Sequence, residues 1–509
     1  MSTPFKSKHV ARGSVLIGAQ NIIEFAVAFG FFFFLARIVT EVEVGQLSLL
    51  AFVMTIFTTL TQLSFPVAIT KYVSEMVDKE ERSNAGAVFK TGLKLILAVS
   101  IPSLIVGLTL SPFLSEVVLD GISLNTLIVV FLASFILDIA VVYGHGLLGL
   151  GLYGKMITNS LSYVVVSRSL GLVLASIGLG LFGIVLGWLI GASVSLIISV
   201  ALLGRRLSSA EKFSSRKLIF YSLPVLLYSI IFMFQNWSDV IILYAVNADI
   251  SEIGVYYLVV NGARMPSFIW VAICSALFPA LSSYYGKRGL AGMKHPIFRA
   301  IRLLNLVVIP MGVVLAVVSV TGLEVAFGTS YRAGAMAFSL LTVTMVLPAY
   351  ALLIMTIFQS IGKTKPLIVI GSLSVIAQLI TVAILAPTLG ATGGAISRVI
   401  MNLVGVSIGY YYVRHWVSLP FLTELPKSFL LGLIIGIPLF LVEVYTTWIN
   451  PQLLIIRVTS DLIVFIIMAF ISYRLLGVFT EDDFNLLRSV VPSQLHFFVN
   501  HVARMLVKS

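Results

Sequence analysis

Three arginines sit where a charge is expensive. Arg168 and Arg264 each fall about halfway along an apolar stretch of bilayer-spanning length, and Arg398 lies in the outer third of another. An arginine at such depth costs about 2.5–3.5 kcal/mol on insertion scales, so it normally faces a polar cavity or a partner. Asn261 stands three residues before Arg264 and Asn402 four after Arg398, so each arginine shares a helix face with a polar neighbour. Pro266, just past Arg264, frees a backbone carbonyl and is a place for a bend. Arg37 and Arg457 lie near span ends, where a long side chain reaches the interface. Acids at membrane depth form a second set: Glu24, Asp138, Asp239, Glu443 and Asp461. Gln20, Asn21 and Glu24 share one face of the first helix, and Gln235, Asn236, Ser238 and Asp239 make a polar cluster in the seventh. Asp138 and His145, seven apart, share a face of the fourth.

Two readings suit these charges. In one, the arginines line a cavity that binds an anionic head group while Glu24, Asp138 or Asp239 exchanges Na⁺ or H⁺. In the other, arginine and carboxylate pair as structural ion pairs between helices; that reading is preferred for Glu443 and Asp461, which lie outside the repeat described below. Catalytic and metal-binding constellations are not expected. The six histidines have no metal-ligand spacing, and no Walker-type phosphate loop is present. Cys274, alone, allows neither an intramolecular disulfide nor a cysteine metal cluster. The glycine-rich Gly144–Gly154 run ends a membrane helix, so it is read as a packing or hinge element rather than a nucleotide loop. No cofactor is expected beyond a coupling ion.

The elements that must hold these residues are apolar helices. The chain of 509 residues is 59 % hydrophobic and only 11 % charged, against roughly a quarter charged in a soluble domain. Segments near the ~20 residues that cross ~30 Å of hydrocarbon recur from end to end, about fourteen in all. The first, from about Gly13 to Val39, is too long for a signal-peptide core. The net charge of +12 does not indicate nucleic acid, because the basic residues occupy short gaps between apolar segments. With a cytoplasmic N-terminus, 27 of the 33 basic residues fall on the cytoplasmic side, while outer connections carry Glu41, Glu43, Glu116, Asp120, Asp249 and Glu252. That asymmetry places both termini inside the cell and calls for an even helix count.

The sequence also repeats itself near 210 residues. Val44-Gly45 recurs as Ile253-Gly254, Phe65-Pro66 as Phe278-Pro279, Gly154-Lys155 as Gly362-Lys363, and Gly180-x-x-Gly183 as Gly390-x-x-Gly393. Four landmarks in order at nearly constant offset indicate a duplicated six-helix unit. Six is even, so the copies enter from the same side and form a parallel repeat. The expectation is an all-α integral membrane protein of about fourteen transmembrane helices with two pseudo-symmetric lobes. Residues 1–213 and 214–416 form the lobes, 417–479 hold two additional transmembrane helices, and 480–509 form a cytoplasmic amphipathic tail.

Several landmarks together carry a family resemblance. They are Leu35-Ala36-Arg37 followed by Gly45; Phe65-Pro66 leading to Lys71-Tyr72-Val73-Ser74-Glu75; Ser222-Leu223-Pro224; Ile253-Gly254-Val255-Tyr256-Tyr257; Phe327-Gly328-x-x-Tyr331; Gly362-Lys363; and Gly393-Gly394-Ala395-Ile396. By their order and spacing the chain resembles the multidrug/oligosaccharidyl-lipid/polysaccharide exporter superfamily, in its polysaccharide-transporter or O-antigen-flippase-like branch. The resemblance implies a V-shaped pair of six-helix lobes that moves a polyprenyl-linked oligosaccharide from the inner to the outer leaflet of the cell membrane. It implies a cationic cavity for the phosphate, with membrane lipid and glycan-assembly enzymes as partners, and a monomer. Depth in the span selects Arg264, Arg168 and Arg398 for that contact, with Arg37 and Asn261 as further candidates. A drug or cation exporter of the same superfamily would instead present acids and aromatics. A lipid-linked oligosaccharide ligase or polymerase would place its chemistry on a sizeable outer loop, and every outer connection here is short.

Overall fold

The computed structural model describes residues 4–79, 82–119, 121–204, 212–246, 249–417, 419, 421, 425–449, 454–475, 497, 500 and 501. The amphipathic tail expected over 480–509 lies almost wholly outside these residues. Among them every regular element is helical. In chain order the α-helices are α1 Pro4–Ile38, α2 Glu41–Gln62, α3 Phe65–Asp78, α4 Arg82–Phe113, α5 Leu124–Gly149 and α6 Tyr153–Leu174. They continue as α7 Gly180–Leu203, α8 Ser215–Ala245, α9 Ile250–Arg264, α10 Phe268–Arg288, α11 Lys294–Val317 and α12 Ser319–Phe327. The last are α13 Ala335–Val343, α14 Val346–Ser360, α15 Lys365–Val413, α16 Leu425–Ile449 and α17 Leu454–Leu475.

Ten helical stretches among the described residues are long and apolar enough to cross a membrane, and an eleventh is the bent pair Thr329–Val343 and Val346–Ser360. Three of the ten run 51, 68 and 49 residues, at least twice what one crossing needs. Each is interrupted. Gly178 and Gly180 have positive φ between α6 and α7, Gly390 has φ 49° inside α15, and 3₁₀ turns flank α10. Taken as pairs of crossings, they bring the number to fourteen, as hydropathy predicts. The apolar side chains left exposed, such as Ile105, Ile197, Ile384 and Ile455, face the hydrocarbon that replaces water as solvent.

The chain groups into two compact units, Met1–Asn261 with Gly371–Ser397, and Gly262–Ile370 with Arg398–Ser509. Within the first, the repeated landmarks meet one another. A Cβ on Gly45 would strike the carbonyl of Ile250, and one on Gly254 would strike that of Glu41 and crowd the Gly45 amide. Helices α2 and α9, the equivalent elements of the two copies, thus cross backbone to backbone at equivalent glycines, the close approach that small residues permit. The fourth landmark pair has a shared device too. Gly180 and Gly390 adopt φ 48° and 49°, a region that favours glycine. The amide after each is held by a carboxylate: Leu181 N–H donates to Glu43 Oε1 (3.2 Å), and Ala391 N–H to Glu252 Oε1 (2.7 Å). Glu43 also completes a capping box with Thr40 at the start of α2.

Candidate functional site

The rotation of α6 is set by its seam with α7. Gly183, Gly187 and Gly191 recur every fourth residue, and a Cβ on Gly187 or Gly191 would run into the backbone of Gly171 or Ser167. With Ser167 and Gly171 turned toward α7, Arg168 stands about 100° further round the helix and faces α1. There it lines a groove of about 480 Å³ walled by Val27, Gly30, Phe31, Phe34, Leu172 and Val173. The guanidinium lies 5.9 Å from the Phe31 ring centroid, and Nη1 donates to the Glu24 carbonyl at 3.3 Å. One of five N–H donors is therefore used. Among the described residues no carboxylate makes an ion pair with Arg168. The Glu24 carboxylate is within its electrostatic reach but accepts its hydrogen bond from the Gln20 amide at 2.8 Å.

Aromatic rings adjoin this arginine. Tyr257 and Tyr163 are its electrostatic neighbours. Tyr257 stacks on Trp237 with centroids 6.2 Å apart and planes 19° apart, and meets Phe32 edge-on; Trp237 also contacts Phe52. Both Trp237 and Tyr257 are half-buried. The reading from residue types passed over these two, although Tyr257 ends one of the stretches that carry the family resemblance and Trp237 lies within the Gln235–Asp239 cluster. A guanidinium with free donors, an apolar trough and flat rings together suit a phosphate, an alkyl chain and a sugar face.

The carboxylates are placed quite differently from one another. Asp138 is fully buried and caged by neutral donors from α2 and α4: Thr61 Oγ1, Gln62 Nε2 at 2.9 Å and Ser100 Oγ at 3.3 Å. His145 is not part of that cage; its Nδ1 meets Thr70 Oγ1 at 2.9 Å. Asp239, also fully buried, accepts from the Tyr256 hydroxyl, which packs under Gly394 of α15. Among the remaining arginines, Arg37 is exposed, folded over Phe33 at 3.7 Å and donating to the Phe33 carbonyl. Arg264 is exposed at the end of α9, where the chain enters the Met265–Ser267 3₁₀ turn. Arg398 is buried, and the Asn402 amide donates to its carbonyl; Asn261 donates likewise to the Tyr257 carbonyl, both at 2.8 Å. Of the residues selected from sequence, Arg168 and Glu24 meet directly.

In the second unit Arg457 departs from the reading by position. It does not reach the interface but is 2 % exposed. Nη2 donates to Glu443 Oε1 at 3.0 Å and to Thr321 Oγ1, and Nη1 to Glu324 Oε2 at 3.4 Å. Arg332, 40 % exposed, grips Glu324 with a second guanidinium at 2.5 and 2.9 Å. Asp461 stands one helical turn beyond Arg457 on α17, and its carboxyl interacts with that of Glu443.

Comparison with known proteins agrees with this architecture. Residues 10–285 match the family model described as polysaccharide biosynthesis protein. A curated relative, the "Probable low-salt glycan biosynthesis flippase" of Haloferax volcanii, is 23 % identical over 251 residues, or 49 % of this chain. The chain spans about half the length of that relative, 53 %. Among solved structures, the lipid II flippase MurJ in an inward closed conformation superposes with TM-score 0.68 at 13 % identity, covering 91 % of this chain and 99 % of that one. An inward-facing multidrug resistance transporter of the MATE family superposes with TM-score 0.62 at 17 % identity, over 77 % and 94 %. A transporter of the MOP superfamily from Pyrococcus furiosus gives 0.55 at 16 %, over 80 % and 95 %. The fold is therefore that of these transporters, and since the family model spans more than half of its residues, this multi-pass membrane protein belongs to the polysaccharide biosynthesis protein family.

Proposed function

We propose that the protein is a flippase that moves a polyprenyl-(pyro)phosphate-linked oligosaccharide from the inner to the outer leaflet of the cell membrane, by alternating access and without enzymatic chemistry. The observation that carries this reading is Arg168: a half-buried guanidinium with unused donors, in an apolar groove beside half-buried aromatic rings. Arginine's planar fork suits a phosphate, the groove an isoprenoid chain, and Trp237 with Tyr257 a sugar face. Arg264, Arg398, Arg37 and Asn261 belong to the same proposal as further substrate contacts. Asp138, Asp239 and Glu24 are the carboxylates proposed to exchange Na⁺ or H⁺; a 100 mV potential supplies about 2.3 kcal/mol per charge moved. The two six-helix lobes over 1–213 and 214–416, both termini in the cytoplasm, the monomeric state and the association with glycan-assembly enzymes complete it.

The MATE-family likeness supports a second reading, a cation-coupled small-molecule exporter. Liposomes carrying the protein and a short lipid-linked oligosaccharide separate the two. A flippase brings the glycan to the opposite leaflet and loses that activity in Arg168→Ala while remaining folded. Absence of glycan transport by the wild type under several ion gradients, with efflux of an organic cation, would favour the exporter.

A further inference from the structure

The helix-interior glycines of the first unit differ in kind. A Cβ on Gly45, Gly187, Gly191 or Gly254 would collide with the backbone of a neighbouring helix, so each is needed for close packing. Gly30, within α1, is not of that kind. A Cβ there would meet no atom within 4 Å, and its backbone has no positive φ. Glycine inside a helix costs stability relative to alanine, and at this position neither packing nor a turn calls for it. What Gly30 leaves is room. It faces the groove that holds Arg168, one turn from Val27 on one side and from Phe34 on the other. The groove follows α1 from Val27 to Ile38, about 16 Å at 1.5 Å per residue. Phe34 on one wall and Ser169, Val173 and Ser176 of α6 on the other are exposed, so the groove is open along its length to the surrounding hydrocarbon.

We propose that Gly30 is the position that admits the chain of a polyprenyl phosphate and turns away two-chain phospholipids. The phosphate lies on Arg168, and the first isoprene units pass Gly30 between Phe34 and α6. This deepens the flippase reading and rests on it for the class of lipid. Charge alone cannot make the selection, because the glycerophospholipids of the bilayer carry the same phosphate. The cavity, about 480 Å³, falls in the ~300–1,000 Å³ range that takes a drug-sized ligand. That holds a few isoprene units of one chain and not a pair of full acyl chains. Apart from Arg168, Ser169 and Ser176 its lining is apolar, and the Phe31 and Phe34 rings give dispersion contact to a flat, methyl-bearing chain. Arg168 thus selects by charge, and the space beside Gly30 selects by chain.

Native mass spectrometry of the full chain, with undecaprenyl phosphate and phosphatidylglycerol as competing probes, tests this. The wild type is expected to retain undecaprenyl phosphate in preference. Gly30→Leu should weaken that binding tenfold or more while its Tm stays at or above the wild-type value, since the new side chain enters open space and leucine favours a helix. Gly30→Ala, which adds one methyl group, should keep most of the binding, and Ser169→Phe, which narrows the groove from α6, should reproduce the loss. Undiminished binding in both Gly30→Leu and Ser169→Phe would overturn the proposal. So would a lowered Tm in Gly30→Ala, which would make Gly30 a packing glycine, or equal retention of the two probes by the wild type. Loss of binding in Arg168→Ala without loss in Gly30→Leu removes the chain slot and leaves the flippase reading standing. A wild type that binds no undecaprenyl phosphate removes both.

Discussion

Arg168 and Arg457 each sit in an apolar helix, the first about halfway along its span and the second near a span end, and their surroundings are opposite. Arg457 is enclosed, and both terminal nitrogens of its guanidinium donate, to two carboxylates and a hydroxyl. Arg168 is half-buried beside an open groove and spends one donor on a backbone carbonyl. The first arrangement is a lock, because removing one partner strands a buried charge. The second is a socket, because its donors wait for an acceptor that the protein does not supply. Depth in the membrane therefore marks an arginine as noteworthy, and only the census of its partners says what it is for.

Substitutions sharpen this contrast. The largest effect should come from Arg457→Ala, which takes the guanidinium from Glu443 and leaves Glu324 with Arg332 alone; thermal unfolding in detergent is expected to show a loss of about 3–5 kcal/mol. A loss below about 1 kcal/mol would mean the cluster is solvated and the lock an illusion. Arg168→Ala should do the reverse. Its stability should change by less than about 0.5 kcal/mol, while glycan transport falls about tenfold or more, in line with about 1.5–3 kcal/mol for charge-assisted hydrogen bonds. Arg168→Lys should recover only part of it, for want of the fork. The smallest effect is expected of Trp237→Ala, where loss of ring stacking worth about 0.5–1.5 kcal/mol should slow an oligosaccharide-bearing lipid severalfold. A bare polyprenyl phosphate should be unaffected, and equal slowing of both would remove the sugar contact from the site.

Much of the fold was legible because it follows from one-dimensional quantities. Apolar length marks the crossings, and the spacing of Gly45, Gly180, Gly254 and Gly390 marks the duplication. The structure adds that Gly45 and Gly254 touch and that Glu43 and Glu252 serve the same purpose. The site was legible only as a set of residue types. Which way Arg168 points depends on the α6–α7 glycine seam, a property of two helices and not of one. Arg457 was misjudged because its distance from the span end says nothing of Glu324, which lies 133 residues away. Asp138 and His145 do share a helix, but α2 and α3 bring each its own partner, Thr61 and Thr70.

The hydrogen bond from Leu181 to Glu43 joins residues 138 apart, and that from Ala391 to Glu252 joins residues 139 apart. During synthesis each carboxylate is therefore delivered long before the amide it will hold. At about 5–20 residues per second, Glu43 waits on the order of ten seconds for the sixth crossing to emerge, and Glu252 then waits as long for the twelfth. Insertion into the bilayer thus proceeds in two instalments, each left open at one corner until its last helix arrives.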